Sequence, residues 1–187
     1  TMTGPDGYSY TGQWRAGQRE GEGRLTYADG SVYEGAFAGD LPHGKGRLEA
    51  PDGLVYEGAW VEGRIEGEGR LEQPGGDIYE GSFADGKREG LGRAVYANGD
   101  VYEGGFSGDL RHGEGRLETA DGYVYSGGWV EGRMEGKGRA EYPDGSVYEG
   151  DFVNGEPHGK GTITYADGSR YEGEWQAGVI AGEGTAT

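Results

Sequence analysis

Three histidines, His43, His112 and His158, are the side chains that most readily suggest catalysis or metal binding. Imidazole is a common general base and metal ligand. The three lie 69 and 46 residues apart, which is about 20–30 Å by strand spacing in the repeat described below and too far for one metal ion. No cysteine or neighbouring base completes a nucleophilic triad. We expect the histidines to occupy hairpin loops and serve structure there, with a site formed across a dimer as the alternative.

Paired carboxylates are the next candidates, because two acids at a suitable separation can hydrolyse a glycosidic bond. Residues such as Glu34 and Glu57 recur regularly with arginines between them, which is the pattern of a solvated charge ladder. Asp29 and Asp52 could recruit calcium, but each precedes a glycine, and an Asp-Gly pair is typical of a turn. We predict no catalytic residue, no metal site and no enzyme activity within this chain.

Pairs of glycines in the pattern G-x-G could suggest a nucleotide-binding loop. Such a loop needs a strand before the glycines and a helix after them. Here the pair recurs eight times, first at Gly21 and Gly23, and each time it begins a predicted strand. We therefore predict a structural role for these glycines and no cofactor.

The composition excludes an ordinary globule and several classes of partner. Of 187 residues, 44 are glycine and 33% are hydrophobic, which disfavours long helices. The 14 tyrosines, four tryptophans and four phenylalanines argue against disorder. A net charge of −17 repels nucleic acid and anionic phospholipid. No apolar run has the length of a membrane span, no signal peptide is visible, and the compartment stays open.

A 23-residue repeat runs through the chain without insertion. In each repeat a tyrosine is followed by a glycine and then by an aromatic residue, as in Tyr33, Gly35 and Phe37, and a G-x-G pair and a turn dipeptide complete it. The sequence GDLPHGKGRLE recurs as GDLRHGEGRLE three repeats later, which indicates duplication of a block. We expect residues 1–187 to be one array of eight repeats and, since they start and stop inside a repeat, a fragment of a longer array.

Each repeat is predicted to form two short antiparallel strands, because its residues alternate between two faces. In the second repeat the strands are residues 32–37 and 44–50, joined by the six-residue segment 38–43. Residues 51–53, Pro-Asp-Gly, form a three-residue hairpin loop to the next repeat. The chain is thus predicted to be all-β, an elongated single-layer antiparallel meander of about eight hairpins that forms a twisted rod.

Matching of faces sets the register of this sheet. It places Tyr33 opposite Leu48, Gly35 opposite Gly46, and the ring of Phe37 opposite a glycine of the G-x-G pair, Gly44 in its own repeat. One face then becomes a groove, a glycine channel without side chains that is walled by aromatic rings.

This groove is the surface that we expect to bind a partner, since a long exposed apolar strip marks an interaction site. The alternative is that the rings serve only as the core of a one-layer sheet. The predicted partner-binding residues are Tyr33, Phe37, Tyr56, Trp60, Tyr79, Phe83, Tyr102, Phe106, Tyr125, Trp129, Tyr148 and Phe152.

The opposite face is predicted to carry a structural ladder of alternating charges. Cross-strand pairs of opposite charge contribute about 0.2–1 kcal/mol each. In the sixth repeat Ser126 replaces the glutamate. The central members of the ladder are Arg47, Glu57, Arg70, Glu80, Arg93 and Glu103.

The pattern Y-E-G-x-[WF]-x-x-G-x-x-x-G-x-G-x-x-x-x-x-D-G resembles the MORN repeat (membrane occupation and recognition nexus) over essentially the whole chain. Segments such as YANGDVYEGGF are most similar to bacterial arrays of this repeat. Departures are Gly39-Asp40 and Gly108-Asp109, where the family has a residue followed by glycine, and Gly75-Gly76 in place of Asp-Gly. The resemblance implies a sheet of hairpins and a scaffold or adaptor without catalysis of its own.

The expected function is therefore a structural or adaptor protein. Its partners would be a peptide or helix in the groove, or further copies of the chain joined through the unpaired strands at the array ends. Two alternatives stay open. A phospholipid-associated module is disfavoured by the net charge and by arginines interleaved with acids, and a repeat region of a larger enzyme would need a flanking domain.

Overall fold

The computed structural model describes residues 1–4 and 7–187, and over these residues it is all-β and antiparallel. It divides into two compact units, an N-terminal unit, Thr1–Ala97, and a C-terminal unit, Asn98–Thr187. Within each unit every strand pairs with its neighbours in sequence. The predicted meander of hairpin repeats is confirmed. The predicted turn residue Asp6 lies outside the described residues.

The strands alternate between seven and nine residues in length, apart from the first and the last. The N-terminal unit contains β1 (Met2–Thr3), β2 (Ser9–Arg15), β3 (Gln18–Thr26), β4 (Val32–Ala38), β5 (Leu41–Glu49), β6 (Val55–Val61), β7 (Arg64–Glu72), β8 (Ile78–Ala84) and β9 (Lys87–Val95). The C-terminal unit contains β10 (Val101–Ser107), β11 (Leu110–Glu118), β12 (Val124–Val130), β13 (Arg133–Glu141), β14 (Val147–Val153), β15 (Glu156–Thr164), β16 (Arg170–Gln176) and β17 (Val179–Ala186).

The turn inside each hairpin is shorter than the sequence suggests. The predicted six-residue segment 38–43 is wrong, because β4 ends at Ala38 and β5 begins at Leu41. Only Gly39 and Asp40 lie between them, with φ of 56° and 75°. Positive φ at both central residues is the mark of a type I′ turn, whose twist matches that of the strands.

The loop between repeats is the one that the sequence predicts. Ala50 begins a turn in which the Gly53 N–H donates to the Ala50 carbonyl at 3.0 Å. Pro51 occupies the second position, where its fixed φ is favourable. Gly53 closes the turn with φ of 100°, a value that side chains disfavour.

The predicted register is confirmed at the tyrosine and glycine columns, with Tyr33 opposite Leu48 and Gly35 opposite Gly46. It is wrong at Phe37, which lies opposite Pro42 within its own hairpin. Gly44 adopts φ of 104° and bulges the strand, so that alternation of one residue against one fails there.

The glycine that does oppose Phe37 comes from the preceding repeat. This residue is Gly21, on β3. Trp60 lies opposite Gly44 in the same way. The predicted column that alternates aromatic residues with glycines therefore exists across the loops between repeats.

Candidate functional site

The glycine channel is occupied by the tyrosine rings of the repeat. A Cβ atom added to Gly46 would lie 2.1 Å from the hydroxyl oxygen of Tyr33, and one added to Gly35 would lie 2.5 Å from the Cα of Gly46. The Tyr33 hydroxyl donates to the Ala36 carbonyl at 2.7 Å. The predicted channel without side chains is therefore wrong, because the missing Cβ atoms make room for a ring laid flat along the strands.

Each tyrosine ring packs against two other rings. Tyr33 makes edge-to-face contacts with Phe37 at 5.1 Å and with Trp60 of the next repeat at 5.2 Å between ring centres. In the C-terminal unit Tyr125 contacts Trp129 at 5.4 Å and Phe152 at 4.9 Å. These distances and angles are those that aromatic quadrupoles favour. The rings of one repeat thus complete the core of the next.

The tryptophans add a hydrogen bond to this packing. The indole N–H of Trp60 donates to the Gly46 carbonyl at 3.1 Å, and that of Trp129 donates to the Gly115 carbonyl at 3.1 Å. Where a repeat carries phenylalanine this bond is not made. The exchange of tryptophan and phenylalanine along the array therefore preserves the ring contact and changes one polar contact.

The twelve predicted partner-binding residues form most of the hydrophobic core. Their side chains are at most 7% exposed, and Tyr33, Tyr56, Tyr102, Tyr125 and Tyr148 are fully buried. Burial raises the pKa of Tyr56 and of Tyr125 to about 12. Within each unit the structure brings the rings of consecutive repeats together, and their part in binding a partner stays a prediction.

We call the face of the sheet that carries the buried repeat tyrosines, phenylalanines and tryptophans the ring face. One position of the repeat places a charged side chain on this face. It is the residue that opposes the repeat aromatic across the hairpin, as Arg19 opposes Trp14 on β2 and β3. The guanidinium carbon of Arg19 lies 5.8 Å from the centre of the Tyr10 ring and 5.6 Å from that of Phe37. Its Nε donates to Asp40 Oδ1 at 2.8 Å. A hydrogen bond from the Arg19 backbone N–H, followed by this side-chain bond, lowers the pKa of Asp40.

The ring face opens at a pocket of about 260 Å³ in the C-terminal unit. Tyr142, Pro157, Ile163, Tyr165 and Trp175 supply its walls. Tyr165 is 39% exposed, which distinguishes it from the buried rings of the core. Sequence reasoning missed this pocket because it arises from substitutions at positions that vary between repeats.

Two polar side chains at the edge of the pocket bond to each other. The Ser146 hydroxyl donates to Asp144 Oδ1 at 2.6 Å, and the Ser146 backbone N–H donates to the same oxygen at 2.8 Å. These bonds hold the pKa of the Asp144 carboxyl below its ordinary value. The edge of the pocket thus carries a negative charge.

The predicted charge ladder lies on the opposite face in the predicted register. Arg47 opposes Glu34 on one side and Glu57 on the other, and Arg70 opposes Glu57 and Glu80. Arg93 opposes Glu80 in the N-terminal unit and Glu103 opposes Arg116 in the C-terminal unit.

The arginines of the ladder also bond within their own strand, which the sequence reasoning missed. Arg70 lies 3.3 Å from Glu72 and 3.4 Å from Glu80, and Arg47 lies 2.7 Å from Glu49. The signal was present as Arg-x-Glu, since residues two apart share a face.

The histidines lie in strands, so their predicted place in the hairpin loops is wrong. The Nδ1 atom of His43, on β5, accepts a hydrogen bond from the Glu62 backbone N–H at 3.1 Å. Glu66 holds the equivalent position in the next repeat and accepts from the Asp85 backbone N–H at 2.8 Å. His112 and His158 accept from the equivalent N–H groups at 3.3 and 3.5 Å. Histidine and glutamate here both attach a strand to the turn of the following hairpin.

The remaining candidates for chemistry are turn residues. Asp29 Oδ1 accepts from the Ser31 backbone N–H at 2.8 Å, and Asp52 Oδ1 accepts from that of Leu54 at 3.1 Å. In residues 1–4 and 7–187 no three histidine, aspartate or glutamate side chains are grouped as a metal site would require. The same residues include no helix with the length and apolar character of a membrane span.

Comparison with solved structures finds similar strand arrangements at low identity. One is the TCP domain of SAS-4 (dCPAP) from Drosophila melanogaster in complex with a proline-rich motif of Ana2 (dSTIL). It is 19% identical, with a TM-score of 0.45, and the match covers 81% of this chain and 77% of that chain. Another is the TCP10 domain of CPAP from Danio rerio in complex with a STIL peptide, at 17% identity and a TM-score of 0.46, covering 96% and 90% of the two chains. No curated protein matches the sequence.

Comparison with family models finds the repeat along almost the whole chain. The model described as the MORN repeat matches residues 10–32, 33–55, 56–78, 79–101, 102–122, 125–147, 148–170 and 171–187. The matched segments coincide with the 23-residue spacing of the repeat tyrosines. This chain belongs to the MORN-repeat family.

Proposed function

We propose that this chain is a non-enzymatic scaffold or adaptor that binds a segment of another protein on its ring face. The observation that carries the proposal is the pocket in the C-terminal unit, where about 260 Å³ lies open beside the exposed ring of Tyr165. Aromatic side chains at such an opening provide large contact areas at low entropic cost.

Several observations favour binding over chemistry. The polar side chains that the sequence offered for catalysis serve turns, strand ends and a solvated ladder. In the described part of the chain no buried side-chain nitrogen or oxygen lacks a hydrogen-bond partner. We further propose that residues 1–187 act as one array of the bacterial kind. This proposal is supported by the unbroken 23-residue spacing and by the amino-acid sequences of the repeats.

The test is a selection of peptides from a random display library against the whole chain, followed by calorimetric titration. We expect selected peptides to bind at least tenfold more weakly to Tyr165→Ala than to the parent. The matched control is Leu91→Ala, since Leu91 is 75% exposed and lies on the charged face by strand alternation. Loss of binding in Leu91→Ala alone, or failure to select any peptide, would contradict the proposal.

Self-association is the second candidate, because an outer strand of an open sheet offers backbone groups with which a strand of another copy can pair. Light scattering over a wide concentration range tests this proposal. A mass that stays at that of one chain would contradict it.

A further inference from the structure

The residue opposite the repeat aromatic decides what lies above each pair of rings. In the C-terminal unit Arg111 opposes Phe106 in the fifth repeat, and Pro157 opposes Phe152 in the seventh. The sixth repeat carries Met134 at this position. The backbone pairing is the same in all three repeats, so the side chains can be compared directly.

In the fifth repeat this position places a guanidinium group over two rings. The guanidinium carbon of Arg111 lies 5.3 Å from the centre of the Tyr102 ring and 5.2 Å from that of Trp129. The two rings meet edge to face at 5.3 Å and 86°. These distances are within the range in which a cation is attracted to the face of a ring.

The first repeat, in the N-terminal unit, repeats this arrangement independently. Arg19 lies over Tyr10 and Phe37, whose ring centres are 5.2 Å apart at 85°. The fold therefore places an arginine over the repeat tyrosine from this position in the first, fourth and fifth repeats, and in the fourth the guanidinium carbon of Arg88 lies 5.9 Å from the centre of the Tyr79 ring.

In the seventh repeat the ring pair is present and the arginine is not. Tyr148 and Trp175 correspond to Tyr102 and Trp129, and their rings meet at 5.2 Å and 80°. Pro157 takes the place of Arg111, and the pocket of about 260 Å³ lies there.

The sixth repeat shows what fills this space when it is closed. There the Tyr123 hydroxyl contacts the Met134 sulfur at 3.7 Å, and the Tyr123 ring packs on Tyr142 at 5.4 Å. One repeat later Ser146 takes the position of Tyr123, and Pro157 takes that of Met134. Both smaller side chains line the pocket.

The charges at the pocket favour a cation. Asp144 lies at its edge, and its lining contains no lysine or arginine. The whole chain carries a net charge of −17, which attracts basic segments at long range. A planar guanidinium group both stacks on aromatic faces and pairs with a carboxylate.

We propose that this pocket binds an arginine side chain of a partner segment, seated between Tyr142, Tyr165 and Trp175 with its guanidinium group toward Asp144. The partner's arginine would occupy the space that Arg111 fills from within the chain in the fifth repeat. The inference deepens the proposed function, on which it rests, by naming the side chain that the ring face recognises.

The test uses the tripeptide acetyl-Gly-Arg-Gly-amide as the probe and nuclear magnetic resonance of the whole chain as the readout. The indole N–H signals of the four tryptophans report separately on the two units. We expect the Trp175 signal to shift with the probe and the Trp60 signal to stay in place. The corresponding lysine peptide should shift Trp175 at least threefold less, and the glutamine peptide should not shift it.

The decisive variant is Pro157→Arg, which supplies the guanidinium group from within the chain. Arg19 and Arg111 show that the fold accepts arginine at this position. We expect the probe-induced shift of Trp175 to fall at least fivefold. The matched control is Pro42→Arg, the same substitution in the N-terminal unit, where Ala50 replaces Tyr165, and the shift should be unchanged.

Three results would overturn the proposal: an equal shift with the glutamine or lysine peptide, an equal shift of Trp60, or a shift that persists in Pro157→Arg. If that variant fails to fold, Tyr165→Ala should also reduce the shift at least threefold, and no reduction would overturn the proposal. Selected library peptides that bind Pro157→Arg as tightly as the parent would refute the arginine pocket and leave the scaffold function in place.

Discussion

The hydroxyl group of Tyr33 lies over Gly46 so closely that a Cβ atom on Gly46 would be 2.1 Å from it. The ring and the glycine are cross-strand neighbours displaced by two residues, because Tyr33 opposes Leu48 and Gly35 opposes Gly46. The glycines in this column thus leave the space in which the tyrosine rings pack.

Gly46→Ala tests this relationship. The Tyr33 ring is fully buried and cannot move aside, so we expect the free energy of unfolding to fall by about 1–3 kcal/mol, as for other overpacked cores. Denaturant unfolding followed by circular dichroism measures it. The control is Gly75→Ala in the same unit, because a Cβ there meets nothing within 4 Å, and a gain or no change is expected. An equal loss of unfolding free energy in the two variants would show that Gly46 is not needed to leave room for the Tyr33 ring.

A second prediction concerns the histidine that bonds to the next turn. His43→Glu should unfold like the parent, because Glu66 makes the equivalent bond in the following repeat. His43→Ala leaves the Glu62 N–H to water and should lower the free energy of unfolding by about 0.5–1.5 kcal/mol. Denaturant unfolding of the two variants side by side makes the comparison, and a larger loss in His43→Glu would show that the imidazole has another role.

A third prediction concerns the charge ladder. Arg70→Glu would place a new carboxylate among Glu57, Glu72 and Glu80, so we expect a lower melting temperature than that of the parent. The contacts are exposed, and the difference should shrink as salt is added. Arg116→Glu is the control with weaker repulsion, because Ser126 replaces one opposing glutamate. A salt-independent difference would assign the effect to packing of the arginine stem.

A fourth prediction concerns alkaline pH. Burial raises the pKa of Tyr56, Tyr125 and Tyr148 to about 12, against about 10 in an unfolded chain. Above pH 10 the unfolded chain therefore releases protons that the folded chain retains. The stabilisation is complete below pH 10 and should be lost as the pH rises to about 12.

Denaturant unfolding at a series of pH values, with tyrosinate absorbance recorded in parallel, measures this loss. Tyr56→Phe removes one titrating group and should give a shallower decline of stability between pH 10 and about 12. A stability that stays constant across this range would contradict the burial of the tyrosine hydroxyls.

The sequence predicted the fold where one residue faces one partner. Alternation of apolar and charged residues sufficed for the Tyr33–Leu48 and Arg47–Glu57 pairs. It failed at Phe37, because a bulge at Gly44, whose φ is positive, shifts the pairing by two residues, and a shift of two leaves the period-two pattern unchanged. Alternation also failed to predict the two-residue hairpin turn. Gly39 and Asp40 form a type I′ turn although they lack the Asn-Gly sequence that usually indicates one.

The sequence predicted the aromatic residues of the candidate site but not the pocket beside them. The recurring tyrosines and tryptophans identified the ring face, but whether that face is open depends on which side chain lies above each pair of rings. Arg111 lies over one pair of rings, and at the corresponding pair Pro157 takes its place beside the pocket. A prediction made from the residues that all repeats share does not include such differences between repeats.

Sharing of rings between consecutive hairpins also governs which length changes this chain can tolerate. Tyr33 contacts the aromatic residue of its own repeat and that of the next, so excising one complete 23-residue repeat brings together surfaces of matching shape. An excision one residue shorter would turn every following tyrosine to the charged face. The lengths of such arrays should therefore change in whole repeats, and the GDLPHGKGRLE and GDLRHGEGRLE segments, which lie three whole repeats apart, agree with this expectation.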